Sequence, residues 1–131
     1  MADENKKNFK KVHLLIYDEK SFTSSLAAEA YKANNFICKI VSDYDRFLEA
    51  KVTKKYQAII LNFDFLREKV FQICHEIRET QNDKNTPIIV TGITLRLELS
   101  EKLTAAGASL LIEQPIPKEY ILEKIKSILA I

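Results

Sequence analysis

With 131 residues, 47% of them apolar and 29% charged, the chain is long enough for one domain with its own core, and its balance excludes a disordered segment. No apolar run approaches the roughly 20 residues that span a bilayer. Met1 to Lys11 is polar with no apolar stretch behind it, so no secretory signal is expected and the protein is read as cytoplasmic. A net charge of +2 gives no argument for nucleic acid. Lys6, Lys7, Lys10 and Lys11 crowd residues 1–11, which read as a flexible basic tail because no aromatic or glycine pattern accompanies them. Cys38 and Cys74 lack CxxC spacing and a histidine cluster, and read as small buried hydrophobes. His13 and His75 read as surface or half-buried residues without a catalytic set around them.

A single domain is expected over residues 12–131. Val12 to Tyr17 is an apolar run ending in Asp18 and Glu19, a first buried strand with acids at its carboxyl end. Ser21 to Asn34 has the three- and four-residue spacing of an amphipathic helix, through Phe22, Leu26, Ala30 and Ala33. Phe36 to Val41 makes a second strand, and Asp43 to Ala50 a short helix capped by Ser42 or Asp43. From Tyr56 to Asp64 an apolar run meets a sudden polar cluster at Asn62 and Asp64, the pattern of a strand buried on both faces whose end opens to a crevice.

Leu66 to Thr80 carries one apolar stripe and is expected to form a third helix. Pro87 to Thr91 is a fourth strand. A helix from about Leu95 to Ala106 stops at Gly107, Ala108 to Ile112 is a fifth strand, and Lys118 to Leu129 a last helix. Strict alternation of five strand and helix pairs predicts an α/β fold, a doubly wound parallel sheet with helices on both faces; at this length the two common outcomes are a flavodoxin-like sheet of strand order 2-1-3-4-5 and a small nucleotide-binding Rossmann unit. The only glycines, Gly92 and Gly107, do not follow the first strand, so dinucleotide and P-loop readings fall away.

The stretches Leu14 to Glu19, Ala58 to Asn62, Pro87 to Gly92 and Ala105 to Ala108 through Gln114-Pro115 together resemble the landmarks of the receiver domain of two-component response regulators. In that family two acids after the first strand hold Mg²⁺, an aspartate after the third accepts a phosphoryl group, and a Thr or Ser and a Lys follow on the fourth and fifth. The resemblance assigns Tyr17 to the first acid, Asp18 to the second, Asn62 to the phosphoacceptor, Thr91 to the hydroxyl, Gln114 to the lysine and Leu111 to the aromatic switch position. It implies a degenerate bacterial pseudo-receiver, not an enzyme. An amide offers no nucleophilic oxyanion and glutamine no charge for a phosphate, whereas phosphoryl transfer needs both and a hard cation. Asn62 and Gln114 are expected to satisfy one another by neutral hydrogen bonds.

No cofactor is expected on this reading. Asp18, Glu19 and Asp64 are the weak candidates for a Mg²⁺ or Ca²⁺ site, and Asp18 and Asp64 read first as solvated loop acids or caps. Asp64, two residues beyond Asn62 in an extended chain, is the alternative phosphoacceptor. A third alternative makes the crevice a neutral small-ligand pocket around Tyr17, Asn62, Thr91 and Gln114. The expected function is contact with a protein partner, or homodimerisation, through the fourth helix, fifth strand and fifth helix, with Leu95, Leu97, Leu111 and Tyr120 on that surface. Leu95, Leu99 and Leu103 form the buried stripe of the fourth helix, which leaves Leu97 on its outer side. Neither nucleic acid nor a membrane is expected as a partner.

Overall fold

The computed structural model describes residues 11–19, 35–114 and 118–130. The basic tail, the helix expected over 21–34 and Pro115 lie outside the described residues, apart from Lys11 at the end of the tail. Five parallel strands form one sheet: β1 (Val12–Tyr17), β2 (Phe36–Val41), β3 (Ala58–Asn62), β4 (Ile88–Gly92) and β5 (Leu110–Glu113), in the order β2-β1-β3-β4-β5. This is the expected topology. β3 and β4 are buried at every position, as a central strand covered on both faces must be. β2, at an edge, exposes Ile37 and Lys39 in alternation.

Among the described residues five helical segments connect or follow the strands: α1 (Tyr44–Thr53), α2 (Phe63–Leu66), α3 (Lys69–His75) with a π turn at Glu76–Thr80, α4 (Leu97–Ala106) and α5 (Lys118–Leu129). Asp43 caps α1, its Oδ1 accepting from the Arg46 amide at 2.8 Å. The single third helix expected from the apolar stripe is in fact three pieces. Asn62 caps a helical turn that begins directly at Phe63, Arg67 breaks it with φ 56°, and the helix restarts at Lys69. Stripe residues Val70, Ile73, Cys74 and Ile77 are buried all the same, because the break preserves the face they share.

Two apolar layers sandwich the sheet. Leu15, Ile59, Leu61, Ile88 and Val90 pack with Phe47, Ile73 and Leu103 on one side. Leu14, Ile16, Ala58, Ile60, Ile89 and Ile112 pack with Ile121, Leu122 and Ile125 of α5 on the other. Each fully buried aliphatic side chain contributes about 1.5–3 kcal/mol, so this doubly covered frame is the main source of stability.

A polar staple closes the amino-terminal end of the sheet. Arg78, in the π turn, donates from Nε and Nη2 to the Gly107 carbonyl at 3.2 and 2.9 Å, and from Nη1 to the Asp83 carbonyl at 3.0 Å. Gly107 ends α4 with φ 124°, and a Cβ there would lie 2.8 Å from Arg78 Cγ, so both the turn and the guanidinium require glycine. Asp83 Oδ1 accepts from the Asn85 and Thr86 amides, and Oδ2 from the Thr86 hydroxyl and Lys51. Burial pushes the Asp83 carboxyl up, but the bonds from Thr86, Lys51 and Asn85 outweigh it and hold the group well below the usual carboxylate range.

Candidate functional site

Asp18, Asn62, Thr91 and Gln114 are the buried polar side chains among the described residues. Each stands two residues beyond a member of the α5-side layer: Ile16, Ile60, Ile89 and Ile112. Because side chains alternate along a strand, all four emerge on that same face at the carboxyl ends of β1, β3, β4 and β5. The register aligns them: Ile16 pairs Ile60, Asn62 pairs Thr91, and the Gln114 amide donates to the Gly92 carbonyl at 2.8 Å.

Both ends of the Asn62 amide are engaged. Its Nδ2 donates to Asp18 Oδ1 at 2.9 Å, and its Oδ1 accepts from the Asp64 amide at 2.9 Å. Asp18 Oδ1 also takes the Glu19 amide. Two expectations are thereby corrected. The partner of Asn62 is Asp18 and not Gln114, and the Gln114 Oε1 is buried with no hydrogen bond. Asp18 is no solvated loop acid: it is 4% exposed, because the same-face rule carries it under the strand ends.

Asp64 is not extended beyond Asn62. The chain coils into α2 at Phe63, and the Asp64 carboxylate turns toward β4, where Oδ2 accepts from the Ile93 amide at 2.7 Å. It thus ties the β3–α2 junction to the β4–α4 loop. Tyr17 also leaves the crevice. It lies in the opposite layer, stacked on Phe47 at 5.2 Å with Phe65 edge-on at 6.5 Å, and burial raises its phenol pKa, with Asp43, Tyr44 and Asp45 adding to the effect. A separate cleft of about 220 Å³ lies between Tyr17, Phe65 and Ser42, so Tyr17 does not join Asn62, Thr91 and Gln114 in one neutral pocket.

On the α4 side, Leu97 is 75% exposed and Tyr120 47%, with Ile93 exposed before the helix. Leu95, counted from the sequence both on that surface and in the buried stripe, is buried. The helix starts only at Leu97, and the preceding loop tucks Leu95 against Gly92, where a Cβ would meet its Cδ2 at 2.9 Å. Leu111 is half-buried against the same layer as Leu103. Cys38 is half-buried and Cys74 buried, and burial pushes both thiols up to about 11. Among the described residues no helix is long and apolar enough to cross a membrane.

The sequence reading missed the residues at the other end of the sheet: Arg78, Asp83 and Lys51. The one local signal was Asp83 with Thr86 three residues later, an Asx-type cap inside what read as a plain polar linker.

No protein-family model matches the sequence, and no curated protein is similar to it. Solved structures are similar in fold. A response regulator from Thermotoga maritima superposes with a TM-score of 0.79 at 21% identity, covering 92% of this chain and 99% of that one. The chemotaxis response regulator CheY4 of Vibrio cholerae gives 0.76 at 17% identity, over 91% and 98%. The receiver domain of a sensor histidine kinase from Pseudomonas aeruginosa, which has magnesium coordinated in its active-site cleft, gives 0.75 at 14% identity, over 92% and 99%. The chain has the fold of response-regulator receiver domains.

The equivalent cleft here does not fit such an ion. Asn62 turns its donor, not its oxygen, toward Asp18, and its oxygen is spent on a backbone amide. Among the described residues no three His, Cys, Asp or Glu side chains come together. Hard cations take several oxygens at once, and this mouth offers one buried carboxylate already accepting two hydrogen bonds.

Proposed function

We propose that the chain is a receiver-like signalling domain that works without phosphorylation, through contact with a protein partner. The observation that carries this reading is the engagement of Asn62: at the position that resembles a phosphoacceptor, an amide joins Asp18 to the start of α2. Phosphoryl transfer works by positioning and charge neutralisation. This mouth has neither a nucleophilic carboxylate at that position nor a cation at Gln114. The hydrogen bonds fix one arrangement of the β3–α2 junction, and the Asp64 bond to Ile93 extends that arrangement to the loop before α4. A receiver face held in one state, with Leu97 and Tyr120 in solvent, supports constitutive docking by a partner.

The test is incubation with acetyl phosphate and Mg²⁺ followed by intact mass. The expected mass is unchanged. An added phosphoryl group that Asp64→Ala abolishes would overturn the proposal.

A further inference from the structure

Two adjoining cavities lie away from the Asp18 and Asn62 mouth, one at the amino-terminal end of the sheet and one along the edge between β2 and α1. One, of about 530 Å³, opens where α1 passes into β3; Lys51, Lys54, Lys55, Asn82, Asn85 and Thr86 are among its walls. The other, of about 310 Å³, shares Thr53, Lys54 and Tyr56 with it and adds Lys39, Arg46 and Glu49. Both volumes fall in the range of small-molecule sites, roughly 300–1,000 Å³.

The charge on these walls is one-sided: five cations, Lys39, Arg46, Lys51, Lys54 and Lys55, against the carboxylates of Glu49 and Asp83. Lys51 is committed to Asp83 at 3.1 Å, and Arg46 leans on Asp43 at 3.5 Å. Among the described residues Lys54 and Lys55 enter no ion pair. The positive field reaches the start of β1, where the His13 pKa is lowered by burial and then by Lys54 and Lys11. The wall is also built. Asp83 is fixed by four hydrogen bonds from Lys51, Asn85 and Thr86, and Asn82 is held at φ 54° just after the π turn, a helix irregularity that recurs at functional sites.

We propose that this end of the sheet binds a small, multiply charged phosphate compound, with Lys54 and Lys55 on its phosphate oxygens and the Asn82 and Asn85 amides on the remaining acceptors. Lysine grips phosphate as a point charge. In the larger cavity only Val52 and Tyr56 are apolar, which disfavours a hydrophobic ligand. Tyr56, the one aromatic of either lining, is 7% exposed and offers no stacking platform for an extended single strand.

The full chain is titrated with inorganic triphosphate and, separately, with a nucleoside triphosphate, by calorimetry and by amide chemical shifts. Saturable binding with Kd below about 1 mM at low salt is expected, with shifts confined to residues 51–56 and 81–86. Binding of both probes assigns the site to the phosphate chain alone; binding of the nucleotide only assigns it to a phosphate ester. The double variant Lys54→Glu with Lys55→Glu should weaken binding at least about tenfold, since two attractive charges become repulsive. Lys102→Glu, an equal charge change on α4, should leave it within about twofold. Asn82→Gly, which keeps the backbone conformation, should weaken it about threefold even if the double variant folds poorly. No saturation by either probe at about 5 mM, full binding in the double variant, or equal loss in Lys102→Glu would overturn the proposal. The lysines before Val12 are unchanged in every variant, so attraction to them alone is caught by the second of these outcomes.

Discussion

At the carboxyl end of the sheet, Asp18, Asn62, Thr91 and Gln114 are buried, and Asn62 ties Asp18 to the backbone at the start of α2. At the amino end, Asp83 and Arg78 stitch loops together, while Lys54 and Lys55 stand in solvent beside a cavity. The first region holds one buried acid, Asp18, among neutral polar groups. The second has charge and space at a place where the fold prescribes no chemistry. Location in a fold and capacity for chemistry are therefore separable: the sheet delivers side chains to its mouth whatever they are, and their protonation and partners decide what the mouth can do.

The sharpest break at the amino end is Arg78→Ala. It removes the donors to two carbonyls and orphans the Gly107 oxygen, so a loss of about 2–4 kcal/mol and a fall in Tm of roughly 10 °C are expected in thermal melts. A fall of less than about 3 °C would show that the staple carries little of the stability.

At the carboxyl end, Asn62→Asp sets a second carboxylate against Asp18 where a donor stood 2.9 Å away. Like charges disfavour each other, so a loss of about 1–3 kcal/mol is expected at neutral pH. About 10 mM Mg²⁺ should recover much of it by binding the new pair, while leaving the parent's Tm unmoved. Recovery in both proteins would show that the parent already holds a cation.

Asp83→Asn tests the same contrast through pH. The folded carboxyl lies below its ordinary value of 3.8, so its contribution is complete above that pH and is lost as pH falls through the folded value. Denaturant melts at pH 7 should show the variant about 1–2 kcal/mol less stable. The gap should hold down to about pH 4 and narrow below it. The smallest effect is expected from Gln114→Met, which deletes a buried acceptor that has no donor. Stability should be unchanged or rise by up to about 1 kcal/mol, and a clear loss would reveal a bond that Gln114 depends on.

Much of this architecture was legible in the chain. The apolar runs at Leu14 to Tyr17, Ala58 to Leu61 and Ile88 to Val90 read as strands covered on both faces, and their alternation with helical stripes called for one parallel sheet; the order 2-1-3-4-5 came from the lack of glycines after the first strand together with the family resemblance. Local cues also placed Gly107 at the end of α4 and Leu97 on its outer side. The break at Arg67 had no such cue, because no glycine or proline marks it and the stripe of Val70, Ile73 and Ile77 continues past it.

Sequence by itself determined the sheet, the two apolar layers and the chemical identity of the groups at the strand ends, since these follow from periodicity and residue type. Only the tertiary structure decided that Asn62 bonds Asp18, that Asp64 reaches Ile93 and that Lys54 and Lys55 flank a cavity. Pairings between residues 29 or 44 positions apart depend on the face each strand presents and where each loop turns. Spacing along a chain encodes the first of these and is silent on the second.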